Sequence, residues 1–315
     1  MKKLLLILLC VPLIFSCGES NTEGIDAIPE KDERNSILWK IEKDNKISYL
    51  FGTTHIMCKD EMKYKKLLKE LVEEVSIIVT ESDYAETPEG SVWQYGKGFG
   101  GIDIPDEYKI GYIYSEYELR VLFNFLSDLG YDENTIDFLF NTDLISFSMF
   151  TLGACLPDCE YTGSEIYIES ILDDKEELYL EDNKDMSSVF SKWINYFYQN
   201  TDLETMTDYS VKDIIDDYYK DCSEESLEDD MDNYNNNDPQ EDWDDLMDMR
   251  DDEVSKVIID GMVKYLIKER NRIWIPRMID IMDDDKILFA VGSLHVLDLV
   301  ERLEKKGYKL TPLDI

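Results

Sequence analysis

The chain has 315 residues, enough for one large domain or two small ones, and 43% of them are hydrophobic, so a substantial core can be buried. Its 70 acidic residues against 32 basic ones leave a net charge of −38. That balance argues against binding to nucleic acid or to anionic lipid headgroups, because phosphate contacts need Lys and Arg.

The N-terminus has the layout of an export signal. Lys2-Lys3 form a charged start, Leu4 to Phe15 an apolar run, and Ser16-Cys17 a small residue followed by cysteine. The apolar run is too short to span a bilayer, which takes about 20 residues. Leu13-Ile14-Phe15-Ser16-Cys17 resembles a bacterial lipobox, with Phe15 bulkier than usual at its position. Residues 1–17 are thus expected to be a lipoprotein signal peptide with Cys17 lipidated, the alternative being a plain cleaved signal. The expected location is the bacterial cell envelope, with the membrane reached through the lipid anchor. Residues 18–35 are small, polar and acidic and read as a flexible tether. The ordered domain is expected from residue 36 to residue 315.

Ile37 to Ile41 and Ile47 to Phe51 are β-rich runs, and Asp44-Asn45 between them supplies turn chemistry, so the pair reads as a hairpin. The second run leads into Gly52-Thr53-Thr54-His55. Residues 61–74 carry apolar positions at helical spacing, and Ser76 to Thr80 is a short apolar run ending at Glu81. Strand, helix, strand in that order predicts a parallel crossover, where sites gather at the C-terminal strand ends. Ser115-Glu116-Tyr117-Glu118 is a capping box opening a helix that stops at Gly130. Leu178-Tyr179-Leu180 before Glu181 reads as a strand, and residues 188–219 as one helix with aromatic anchors. Residues 253–270 are amphipathic, and the helix resumes over residues 274–282 after a start or kink at Pro276. Lys286 to Val291 is a buried strand ending in Gly292-Ser293-Leu294-His295. A last helix over residues 299–306 ends at Gly307, and Tyr308-Lys309-Leu310 closes as a strand. The fold class is α/β, a central mixed sheet with flanking helices.

Charge is unevenly placed. Residues 201–253 hold 22 acidic and 3 basic side chains, and this acidic insertion reads as a solvated appendage or lid outside the sheet. Weak Ca²⁺ binding there is open, although no spacing matches an EF-hand. Cys155 and Cys159 flank Pro157 and can pair in an oxidising compartment, but the cysteines lack the paired spacing of a zinc site. Cys58 sits close behind His55, where a buried inert thiol is the simpler reading. Gly96 to Gly101 satisfies G-x-G-x-x-G without a helix pattern after it and reads as a flexible loop. No Gly-x-Ser-x-Gly elbow is present.

One pattern occurs twice: an apolar β-run followed by Gly-x-x-His, at Gly52–His55 and at Gly292–His295. The two copies use both histidines of the chain. Glycine lets the backbone turn sharply at a strand end, and each histidine is expected in a loop over a cleft there. Two imidazoles and a carboxylate are a sufficient ligand set for Mn²⁺, Co²⁺ or Zn²⁺. Glu81, also at a strand end, is the candidate third ligand or general base; its alternative is an exposed strand-end carboxylate. Arg270 is a candidate to hold Glu81 or stabilise an oxyanion, and Asn271 to donate to the same oxyanion. Capping at a helix interruption is the alternative for both.

Leu38-Trp39-Lys40, Leu50 to His55, Val79-Thr80-Glu81, Leu180-Glu181, Glu269-Arg270-Asn271, Val291 to His295 and Gly307-Tyr308 stand in one order. With these pieces the chain resembles the TraB/PrgY/GumN family, related to the Tiki metalloproteases, and more distantly the erythromycin-esterase and ChaN haem-binding folds. The resemblance covers residue 36 to the C-terminus. It implies a metal-dependent, peptidase-like hydrolase acting on a peptide or small-molecule substrate, with His55, His295 and Glu81 as metal ligands. Gly163-Ser164-Glu165 matches the family's central Gly-Asp, with Glu165 in place of the aspartate. A Gly-rich loop usual after the second histidine is replaced by Val296-Leu297-Asp298. A metal-free esterase with histidine as general base, and a binding protein for haem or a peptide signal, are the competing readings.

Overall fold

A computed structural model describes residues 35–54, 62–82, 103–152, 163–172, 175–202, 204, 206, 209–221, 238–250, 253–282 and 286–313. The leader with Cys17, most of the tether, His55, Cys58, the Gly96–Gly101 loop, the Cys155/Cys159 pair and Cys222 lie outside these residues.

The hairpin forms as its turn chemistry dictates. Strand β1 (Leu38–Lys43) returns as β2 (Lys46–Thr53) through Asp44 and Asn45, at φ 52° and 65°. Both are residues that tolerate the left-handed region a two-residue hairpin loop requires. Strands β3 (Ile77–Thr80), β4 (Glu176–Tyr179), β5 (Ile287–Gly292) and β6 (Lys309–Pro312) complete a six-stranded mixed sheet of order β4-β3-β5-β2-β1-β6. The four strands from β4 to β2 are parallel, and β1 and β6 are antiparallel to their neighbours. The expected α/β fold with flanking helices is therefore present.

The order of the strands decides the site. β2 and β3 are parallel but not adjacent, because β5 lies between them, buried along its whole length. β5 carries the second Gly-x-x-His and pairs directly with β2, which carries the first. Thr53 stands opposite Gly292 in that register. Two motifs about 240 residues apart in sequence thus leave the sheet side by side at its C-terminal edge.

Among the described residues the helices are α1 (Lys65–Glu74), α2 (Ile110–Ile113), α3 (Glu116–Asp128), α4 (Glu133–Phe140), α5 (Leu144–Leu152), α6 (Ser164–Ser170), α7 (Asn183–Asn200), α8 (Val211–Asp221), α9 (Pro239–Asp248), α10 (Glu253–Gly261), α11 (Arg270–Ile281) and α12 (Ser293–Lys305). One face of the sheet packs on α1 and α6 through Leu68, Val72 and Ile168 against Phe51, Ile78 and Ala290. The other packs on α11 and α12 through Trp274, Met278, Val296 and Leu299 against Leu50, Val79 and Phe289. A third, larger core is built between helices alone, centred on Phe147, Trp193, Phe197, Trp243 and Leu266. The Ser115 capping box opens α3, with Glu118 Oε2 accepting from Ser115 N at 2.9 Å, and Gly130 beyond its end has φ 93°.

Three expectations change. Residues 188–219 are not one continuous helix: α7 ends at Thr201, which turns to extended backbone, and α8 starts anew where Ser210 and Asp213 bond each other. Pro276 does not start or interrupt a helix: α11 runs through it. The irregularity lies earlier, where Met262–Glu269 forms a π-helical stretch joining α10 to α11. Wider turns of this kind shift helical register and recur at functional sites. Here the stretch ends immediately before Arg270 and Asn271, both of which face inward.

The acidic stretch, lastly, is not an appendage in its described parts. Val211, Ile214 and Tyr218 on α8, and Trp243, Leu246 and Met249 near α9, are buried in the helical core. Their carboxylate neighbours occupy the outer faces. No strand of the sheet falls among the described residues of this stretch.

Candidate functional site

Gly52 has to be glycine because α12 crosses β2 there. A Cβ at Gly52 would stand 2.9 Å from Val296 Cγ2 and 3.1 Å from Ser293 Cα. The first turn of α12 therefore lies directly against the first motif's strand. Gly292 is the residue before α12, and His295 is the third residue of that helix, not part of a loop as expected. A Cβ on Gly292 would come within 3.3 Å of Glu81 Oε1, which instead accepts from Gly292 N at 2.7 Å. The missing side chain lets the carboxylate reach the turn of the second motif.

Glu81 is 1% exposed, so it is not the solvated strand-end carboxylate of the alternative reading. Beside it, Glu181 continues β4 as Glu81 continues β3; Glu181 N donates to Glu81 O at 2.9 Å. Arg270 reaches both from α11. Its Nε is 3.0 Å and its Nη2 2.5 Å from Glu181 Oε1, and Nη2 is also 2.5 Å from Glu81 Oε2. The two-pronged pairing of Arg270 is thus with Glu181, and Glu81 takes one prong. Trp274 Nε1 donates to Glu181 Oε2 at 3.0 Å, and the Arg270 guanidinium lies 4.6 Å from the Trp274 ring centre. All of these groups are buried. Burial pushes the Glu181 carboxyl above its ordinary range, and Arg270 pulls it part of the way back. Burial opposes the charge on Arg270, but Glu181 and Glu81 outweigh it and hold the guanidinium above its usual value.

The His295 ring packs against Trp274 with centroids 4.4 Å apart and the rings tilted by 39°. Its Nδ1 is 2.7 Å from Asn271 Oδ1, and its Nε2 is 3.4 Å from Arg270 Nη1 and 3.9 Å from Glu81 Oε1. Asn271 Nδ2 donates to His295 O at 3.2 Å and to Asp298 Oδ2 at 2.7 Å. Asn271 is therefore fully engaged inside the network, and neither it nor Arg270 caps an interrupted helix. Helix α9 supports the same turn from outside. Ser293 Oγ donates to Asp242 at 2.8 Å, and Trp243 Nε1 donates to Leu294 O at 3.1 Å.

Helix α6 meets the same edge from the other face. Ser164, at the start of α6, binds Thr54 three ways: Ser164 N and Oγ donate to Thr54 O, and Thr54 N donates to Ser164 Oγ. Glu165 follows, 4% exposed, one turn before Ile168, which packs under the sheet. His55 is the next residue after Thr54 and lies outside the described residues. The edge thus joins Glu81, Arg270, Asn271 and His295 in one network, with Ser164-Glu165 tied to the strand end that leads to His55.

Sequence reasoning did not single out Glu181, Trp274 or Asp298 as site residues. Glu181 had a usable signal: Val79-Thr80-Glu81 and Tyr179-Leu180-Glu181 are both strand ends closing on glutamate. Trp274 and Asp298 had none, since helical spacing does not tell which polar groups a side chain will meet.

Two features of this donor set fit a divalent cation. Glu81 Oε1 and His295 Nε2 stand 3.9 Å apart, about half an ångström wider than two tetrahedral ligands on one ion. Two buried carboxyl groups also share one guanidinium, and a cation bound beside them would balance the second as a carboxylate. Among the described residues no group of three His, Cys, Asp or Glu side chains is gathered as a metal site, and a third ligand would come from His55.

No curated protein and no solved structure matches the chain. The model of the TraB/PrgY/gumN family matches residues 37–94 and 149–312, taking in every strand of the sheet and every residue of the network. On that match the chain belongs to the TraB/PrgY/gumN family.

Proposed function

We propose that the protein is an exported, lipid-anchored hydrolase of the bacterial cell envelope that uses a divalent metal, Mn²⁺, Co²⁺ or Zn²⁺, to cleave a peptide or a related small substrate. The observation that carries the reading is the convergence of His295 Nε2 and Glu81 at the C-terminal edge of adjacent parallel strands. With His55 they supply two imidazoles and a carboxylate. A metal held there would supply Lewis acidity toward the substrate carbonyl.

The protein's own groups have separable tasks. Glu81 is held on both oxygens, by Gly292 N and by Arg270, which fixes its direction toward His295. Arg270 Nη1 stands 3.4 Å from His295 Nε2, longer than a good hydrogen bond. Glu181 and Trp274 hold Arg270 from behind, and Trp274 covers one face of the imidazole. Glu165, buried next to the Ser164 that bonds Thr54, is the further carboxyl group assigned to the reaction in this reading.

The test is elemental analysis of protein purified without a histidine tag, with a broad peptide-cleavage screen. About one equivalent of a first-row metal, with cleavage abolished by chelator and restored by that metal, is the expected result. Cleavage unaffected by metal removal contradicts the reading in favour of a metal-free esterase. A haem absorbance band without turnover contradicts it in favour of a binding protein.

The lipid anchor rests on Cys17 closing the apolar leader. Among the described residues no helix is long and apolar enough to cross a membrane. A palmitate analogue fed to cells is expected to label the full chain and not Cys17→Ser. Equal labelling of the two removes the anchor.

A further inference from the structure

We propose that Asp298 is a positioning residue for His295: acting through Asn271, it fixes the imidazole as the tautomer with its proton on Nδ1 and the Nε2 lone pair turned toward Glu81. The inference deepens the metal reading and rests on it only for its consequence on affinity. Asn271 Nδ2 is 2.7 Å from Asp298 Oδ2 and 3.2 Å from His295 O, two oxygens that serve as acceptors here. Arg302 Nε donates to that same Asp298 oxygen at 2.6 Å. The end of the Asn271 amide lying between these acceptors must be the NH₂ group, since a carbonyl there would face them with no hydrogen to share.

The other end of the amide is then Oδ1, which can only accept, and it lies 2.7 Å from His295 Nδ1. Nδ1 must therefore carry the proton. A neutral imidazole has one N–H, so Nε2 keeps its lone pair on the side of Glu81 Oε1 and Arg270 Nη1. Turning the Asn271 amide over would reverse the tautomer. Asp298 is what opposes that turn, because the reversed amide would set Oδ1 against a carboxylate oxygen. Without Asp298 only the longer contact to His295 O resists it.

Asp298 lies three residues after His295, on the same side of α12, and is buried. A carboxylate there orients the ring as partners of ligating histidines do, by binding on the side of the nitrogen that faces away from the metal.

With two histidines in the chain, imidazole spectra are assignable directly. Histidine-labelled ¹⁵N protein, stripped of metal, is compared with His55→Gln, which leaves the His295 ring alone. A single Nδ1–H tautomer at neutral pH is expected. Asp298→Ala is expected to convert a large fraction to Nε2–H and to weaken Co²⁺ binding by about 10–100-fold. Asp298→Asn keeps an acceptor for Asn271 and is expected to keep the tautomer, which also covers the case in which the alanine variant does not fold. An Nε2–H or doubly protonated ring in the unaltered protein overturns the proposal. So does an Asp298→Ala spectrum like the parent's. If the protein binds no Co²⁺ at all, the metal reading fails, and the tautomer is still decided by the spectrum.

Discussion

Replacing Arg270 by methionine is expected to destabilise the fold by roughly 3–5 kcal/mol at neutral pH, the usual range for breaking a buried ion pair from one side. The loss arises from what remains: Glu81 and Glu181, both buried, without the guanidinium that bonds each of them. Methionine fills much of the volume, so the deficit is chiefly electrostatic. Its sign against pH follows from Glu181, whose folded value burial already raises above the ordinary 4.5. A carboxyl of this kind contributes stability that is fully present below its unfolded value and is lost as pH rises through the folded one. Arg270 lowers the folded value, so its removal moves that value up and widens the window of loss. Urea unfolding should therefore show a large deficit at pH 7 to 8 that shrinks as pH falls toward 5. A small deficit, or one independent of pH, would mean that Arg270 does not compensate these carboxyl groups.

The parts of this site legible in the sequence were those fixed by local rules. The Asp44-Asn45 turn, the Ser115 cap and the two strand-Gly-x-x-His halves each rest on a few neighbouring residues. Their spatial relation did not follow from them. Nothing local says that β5 inserts between β2 and β3, and that insertion sets the two motifs side by side and puts Glu81 beside His295. Pro276 misled because a local breaker was overridden by packing: Trp274, Ile275 and Met278 bury α11 against the sheet on both sides of it. The dense charge of residues 201–253 misled in the opposite way, hiding Trp243 and Leu246, whose burial places α9 against the turn carrying His295. Asn271, expected to donate to an oxyanion, instead bonds Asp298 and His295, because spacing gives a residue's position on a helix but not the partners its amide will find.

Whether the two histidines at adjacent strand ends share one ion with Glu81 is decided by Co²⁺ or Zn²⁺ titration of the parent protein, His55→Ala, His295→Ala and the double variant. If both histidines are ligands, each single change would remove one metal bond and leave the remaining groups preorganised around a gap. A loss on the order of a hundredfold or more in affinity is expected for either, with hydrolysis lost in step and the double variant little worse than a single one. Groups that act as one unit are non-additive in this way. The result that would contradict the account is normal metal binding by both single variants, or losses that simply add in the double one. The histidines would then occupy separate sites, and the two Gly-x-x-His turns would be features of the fold alone.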